Sequence, residues 1–437
     1  MTVSNDSNKK AEVRGSLDYT FGVAGKVYLF DGTGVYLQPC ATHVLSDGKI
    51  LCAAYSNDLQ MTYLIRLDGR GVVDTSFGGA GISRFKLSDF FPGMNLARPY
   101  DVKFDVDRNK VVMGFFVSDG PNPGSTGLAR FESDGSLDQD FGNGGVMIWN
   151  DAGAISDDQG AAVSPDEETV RNFRSPDYRG AMVLLDDGGV MILSTLRVGV
   201  FDVTFLTKVG NDGFLDKTFC EVGYTFISRN NRHVWAEDLV RQGDNFLLAV
   251  TSRLTGEGEW FVARYDADGH LDTHFATDGY YDGQPTVKNV ILPRENGAEF
   301  YLVGTSANTA SQHLFLVLQR RGMDGQVDPL FGEQGWAGVA GGPNTADTVV
   351  WKAALYNPQS TLVVAGSVTL ASSGFSKVFI GSLEQGMGWD GAFGNQGVVM
   401  FDGEAIINGL SVQPDRKIIF IYNVDESAAF ALVRLHG

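Results

Sequence analysis

Apolar runs of four to seven residues, broken by Gly, Asp and Asn, recur along the chain from residue 26 to its end. Residues 26–30, 63–67, 146–149, 224–227, 261–265, 398–401 and 431–435 are of this kind. They are rich in β-branched and aromatic residues, a pattern that predicts strands. Further runs are joined in pairs by two- or three-residue turns, as in 41–45 and 49–55 around Ser-Asp-Gly at 46–48. Counterpart turns fall at 107–109, 186–188, 242–244, 295–297, 357–359 and 414–416. Asp, Asn and Gly belong there because tight hairpins need residues that tolerate positive φ. The pattern therefore predicts seven hairpins.

A second signal runs in step with the first. The motif D-x-x-F, preceded by a Gly-rich turn, appears at Asp18–Phe21, Asp74–Phe77, Asp138–Phe141, Asp216–Phe219, Asp272–Phe275, Asp328–Phe331 and, in degenerate form, Asp390–Phe393. Successive Asp residues are 56, 64, 78, 56, 56 and 62 apart. A repeat of this size reads as one small sheet stacked on its neighbours. Each unit runs from the motif to a short strand, a variable stretch, the hairpin, a second variable loop and another strand. Four strands in seven units give about 28, the number for a seven-bladed β-propeller. The last unit lacks its fourth strand, while residues 25–30 form a strand with no blade before it. The expected fold is all-β, with four-stranded blades and the ring closed by the N-terminal strand pairing with the C-terminal blade. An open solenoid would instead need polar caps at both ends. Residues 1–14 read as a flexible arm and 15–437 as one propeller, with an insertion at 150–179.

The string G-x-L-D-x-x-F-G-x-x-G, followed by an apolar strand and a D-G-K-type hairpin, resembles the delta-60 repeat, a bacterial propeller module. The resemblance spans residues 15–437 and is also similar to NHL-type propellers, in which the strand nearest the axis comes first in each blade. It implies a fold far more than an activity.

Composition narrows the function. A formal charge of −19 argues against nucleic acid and anionic membrane surfaces, both of which need concentrated Lys and Arg. No stretch is long enough to span a bilayer. The polar start lacks an apolar signal core, so Sec export is not indicated, leaving a cytoplasmic location or another export route. Cys40, Cys52 and Cys220 read as packing residues rather than a disulfide framework.

The repeated Asp has a cation eight residues before it: Arg66, Arg130, Lys208, Arg264, Arg320 and, for Asp18, Arg434 at the other end of the chain. Only Asp390 departs, with Ser382 in that place. One structural ion pair per blade is expected, including Asp18 with Arg434 across the closure. The repeated Phe is expected to anchor packing between blades. Residues 266–272 resemble part of a calcium loop but lack its bidentate Glu, so a turn is expected. His270 and His274 have a spacing that joins zinc ligands on a helix, not in a turn. No cofactor is expected.

With this strand order, the D-x-x-F and Asp-Gly turns share one rim and the variable connections the other. The connections include 150–179 with Arg171 and Arg174, 87–99 with Phe90 and Phe91, and 228–233 with Arg229, Arg232 and His233. These are candidate partner-binding residues, because function concentrates on variable loops held by a rigid scaffold. Asp101, Lys103, Glu237, Asp238, Lys288 and Lys352, with Asn289 and Asn408, fall on strands nearest the axis and mark a candidate ligand-binding channel mouth. The expected function is a monomeric, non-catalytic scaffold presenting one loop-rich face to a protein or glycan. The alternative is a channel-mouth enzyme of the metal-assisted hydrolase or lactonase type, supported by fold analogy alone.

Overall fold

Every repeat closes into a four-stranded antiparallel sheet. The computed structural model describes residues 13–118, 125–149, 180–198, 201–229, 234–252, 259–282, 286–294, 299–307, 314–339, 345–357, 361–384, 387–403, 406–424 and 429–437. Blade 1 runs outward from the axis as Gln38–Val44, Ile50–Ser56, Met61–Leu67 and Ile82–Phe85. The innermost strands of blades 2 to 7 are Leu96–Asp105, Gly180–Leu184, Trp235–Gln242, Thr286–Pro293, Thr345–Asn357 and Ile407–Val412. Each touches the next, and the seventh touches the first, so the sheets form a complete ring. Blade 6 adds a short pairing of Gly388–Trp389 beside its outer strand Val398–Phe401.

The outermost strand of blade 7 comes from the other end of the chain. Lys26 pairs with Val433 and Val27 with Leu432, and Leu17 bridges Leu435. That strand is only two residues long, and the exposed backbone of Phe430 beyond it is covered by the Tyr36 hydroxyl. The hydroxyl donates to the Phe430 carbonyl at 2.7 Å and accepts its N–H. Residues 1–12 of the expected arm lie outside the described residues, but Arg14 is seated in the ring.

Apolar clusters fill the spaces between blades, and each repeated Phe is at most 1 % exposed. The residue after the Phe sends its N–H to the turn of the next blade, as in Gly78 to Asp134 O at 2.5 Å and Gly142 to Asp212 O at 2.8 Å. Its backbone is left-handed. Five copies have Gly there, but Cys220 (φ 49°) and Ala276 (φ 48°) carry side chains. A left-handed conformation costs a non-Gly residue about 1 kcal/mol. Ala276→Gly should therefore raise the urea midpoint by an equivalent amount, offset in part by glycine's greater freedom in the unfolded chain. A midpoint at or below that of the parent would contradict this reading.

Among the described residues, no helix is long and apolar enough to cross a membrane.

Candidate functional site

The repeated charges are held in place at the turn rim. Arg66 Nε lies 2.9 Å from Asp74, Arg130 Nε 2.7 Å from Asp138, Lys208 2.8 Å from Asp216 and Arg264 2.7 Å from Asp272. Arg320 pairs with Asp328 at 2.5 Å. Arg434 reaches Asp18 at 2.7 Å, which joins the two ends of the chain as the spacing predicts. The same guanidinium groups cover the repeated Phe, with Arg130 at 4.4 Å from the Phe141 centroid and Arg434 at 4.6 Å from Phe21. Burial alone would raise the Asp18 carboxyl, but the Thr20 hydroxyl and amide, Arg434 and Lys417 outweigh it and hold the carboxyl well below its ordinary value. For Asp74 the Ser76 hydroxyl has the largest effect, and the shift is again downward. The sign of the linkage follows: these carboxylates stabilise the fold fully above their unfolded pKa near 3.9, and the stabilisation is lost as pH falls through the depressed native values. In Asp266–Asp272, the calcium-like segment, Asp266 accepts the N–H groups of Asp268 and His270 at 3.0 and 2.8 Å, a hydrogen-bonded turn.

Charge also lies midway along the innermost strands. The register of the innermost strands shifts at Cys40, Tyr100, Glu237, Lys288, Trp351 and Asn408 in six blades, and the long strand of blade 6 shifts twice more, at Ala346 and Tyr356. A bulge leaves backbone groups unpaired and re-aims the side chains beside it. By strand register, one rung of the ring is formed by Ala41, Asp101, Ala181, Asp238, Val290, Lys352 and Gly409. Asp101 accepts the Val102 N–H at 2.8 Å and pairs with Lys103 at 3.3 Å. Asp238 accepts two N–H groups, from Leu239 at 2.9 Å and from Ile291 of the next blade at 2.8 Å. Burial still raises its pKa, although Lys352 and Lys103 oppose the shift. Charges from blades 2, 4 and 6 thus converge across the axis. Glu237 accepts the Thr251 hydroxyl at 3.1 Å, and the Asn408 amide donates to Pro39 O at 3.3 Å. The Lys352 side chain is exposed. The Lys288 backbone forms the blade 5 bulge, and its side chain lies outside the described residues.

One residue that the sequence reading passed over belongs with this group. His43 lies two residues before the hairpin residue Leu45, as Lys103 lies before Asp105, so the two share a rung in adjacent blades. Its pKa is pushed down to about 4, chiefly by burial and then by Lys103, against an opposing pull from Asp101. The neutral ring is therefore the native form. Its contribution is complete above the unfolded pKa of about 6.5 and is lost as pH falls from there toward 4. Between pH 7 and pH 4.5 stability should fall by up to about 3 kcal/mol, and His43→Gln should flatten that part of the curve. An unchanged slope in the variant would refute the assignment.

Further along the same strands the residues turn apolar, with Val44, Phe104, Leu184, Leu292, Leu355 and Val412 near the turn rim.

The loop candidates separate. Phe90 and Phe91 are half-buried and pack against the cluster between blades 1 and 2. Phe90 meets Phe85 edge-on at 6.2 Å, and its carbonyl accepts Asn143 Nδ2 at 2.9 Å. Arg229 pairs with Asp282 and lies 4.6 Å from the Tyr280 centroid. Arg171, Arg174, Arg232 and His233 lie outside the described residues. The segment 150–179 leaves from Trp149 and returns at Gly180, between the outer strand of blade 2 and the inner strand of blade 3.

Comparison with known proteins bears on the fold. Residues 45–77 and 109–141 match the family model described as "Domain of unknown function (DUF5122) beta-propeller". No curated protein matches this chain. Drosophila Semaphorin 2a is similar in structure, with a TM-score of 0.50 at 8 % identity, over 97 % of this chain and 76 % of that one. The β-propeller domain of the Trilobed protease from Pyrococcus furiosus gives a TM-score of 0.44 at 10 % identity, over 92 % and 93 %. The polysaccharide lyase Uly1 gives 0.46 at 8 % identity, over 92 % and 90 %. The likeness to Semaphorin 2a concerns architecture alone, and it is the closed ring of seven antiparallel sheets that shows this chain to be a seven-bladed β-propeller.

Proposed function

We propose that the protein is a non-catalytic binding scaffold that presents its loop-rich rim to a protein or glycan partner. One observation carries this reading: the two rims differ in kind. At the turn rim, repeated charges are engaged within and between blades, and blade after blade has the same geometry. At the other rim the connections differ from blade to blade in length and sequence. A rigid ring with one uniform and one variable face suits recognition by the variable face. Lys103 and Lys352 add charge along the axis behind that face.

The test is to immobilise the protein beside a variant in which residues 151–178 are replaced by a short Gly-Ser linker. Both are probed with a glycan array and by cross-linking in native lysate. Binding should be kept by the parent and lost by the variant, while Lys217→Ala, on the exposed turn rim, keeps it. Identical retention by parent and linker variant would refute the choice of face.

A second reading, an enzyme at the channel mouth, is favoured by the raised pKa of Asp238 between two lysines. It requires turnover of small esters or lactones that Asp238→Asn abolishes. The scaffold reading requires none.

A further inference from the structure

Blade 6 is the one blade whose third strand lacks the repeated cation, and the missing charge arrives from the other end of the chain. Ser382 occupies the place of Arg66 and its counterparts, and its hydroxyl is 3.3 Å from Asp390. Asp390 is 1 % exposed, too buried for a lone carboxylate. Arg14 Nη1 lies 2.7 Å from Asp390 Oδ2. The Arg14 carbonyl accepts the Gly394 N–H at 2.9 Å, the same bond between blades that Asp134, Asp212 and Asp324 accept elsewhere. Arg14 thus occupies the turn position before the repeated Gly, which is Asp in blades 2, 3, 4 and 5. Blade 1 has Arg70 there, whose side chain turns to Asp68 of its own turn rather than to the repeated Asp. Across this one seam the arginine has moved from the third strand to the turn of the following blade.

We infer that the Arg14–Asp390 pair is a key that directs the N-terminal segment to the seam between blades 6 and 7 and latches the ring there. At the other seams a strand cation already pairs with the repeated Asp. An arginine entering there from the turn would meet a like charge, and at blade 6 it meets Ser382. The same segment continues directly into the closure. Gly15 N–H bonds to His436 O at 2.6 Å, His436 N–H to Ser16 O at 2.9 Å, and Asp18 pairs with Arg434. Gly15 packs against Gly394 so closely that an added Cβ would lie 2.6 Å from the Gly394 nitrogen. Latch and closing strand are therefore one unit, and loss of the key should loosen the closing strand as well as blade 6.

Native-state amide exchange on the full chain tests this with three variants. Arg14→Ala should speed exchange in Phe430–Leu435 and in residues 390–397 by about tenfold or more, leaving the inner strands of blades 2 to 4 unchanged. Adding Ser382→Arg to that variant should restore exchange to within about threefold of the parent, by rebuilding the pair of the other blades. Ser382→Arg alone, with Arg14 present, should speed exchange, because two cations then compete for one carboxylate. If Arg14→Ala fails to fold, recovery of folded protein by the second substitution supports the key. The inference is overturned if Arg14→Ala exchanges like the parent. It is also overturned if the double variant is no better than Arg14→Ala, or if Ser382→Arg alone is as protected as the parent.

Discussion

Asp18→Ala should lower folding stability by about 3–5 kcal/mol, read from urea unfolding at pH 7. The carboxylate is fully buried and Arg434 is 2 % exposed. Removing one partner leaves the other as an uncompensated buried charge, which costs far more than the pair contributes in net terms. Arg434 also donates to Gly69 O in blade 1 and to Gln413 Oε1, so its displacement disturbs both sides of the seam. Lys417 lies 3.2 Å from the same carboxylate and adds a second unneutralised cation. Asp272→Ala provides the internal comparison: its pair has the same geometry but is partly open to water, so the cost should be clearly smaller. Equal effects at the two sites would mean that ring closure has no special weight.

Phe141→Ala should cost about 3–5 kcal/mol by the same measurement. The ring is wholly buried among Leu128, Met147, Ile192 and Phe205, which come from blades 2 and 3. Truncation removes apolar area and opens a cavity that rigid flanking sheets cannot collapse into. Arg130 loses the aromatic face beneath it while keeping Asp138, so the ion pair should survive the substitution. Phe141→Leu, which restores most of the volume, should recover the larger share of the loss. A cost below about 1 kcal/mol for Phe141→Ala would show that the repeated Phe does not anchor the blades.

The repeat made the ring legible because its signals depend on local register. A cation eight residues before an Asp falls beside it whenever the strand and turn between them are fixed, and so Asp18–Arg434 could be anticipated from opposite ends of the chain. Arg14 was not legible that way. It breaks the pattern of its own turn, and only the seam between blades 6 and 7 shows that it answers the gap at Ser382. The channel residues were legible as to strand but not as to partner. Asp238 binds the Ile291 N–H because a bulge turns it toward the next blade, and bulges have no sequence signature here. Phe90 and Phe91 stood in a loop and suggested an exposed contact, yet apolar residues between blades have a core close at hand. Half-buried against blades 1 and 2, they present less surface to a partner than their position in the loop suggests.

The most direct measurement is hydrogen exchange of the whole chain with and without the glycan or protein that it retains. The scaffold account predicts protection at the loop-side rim, in residues 86–95, 150–179 and 228–234, with the turns at 46–48, 107–109 and 186–188 unchanged. Protection at those turns, with the loop-side rim unaffected, would contradict it.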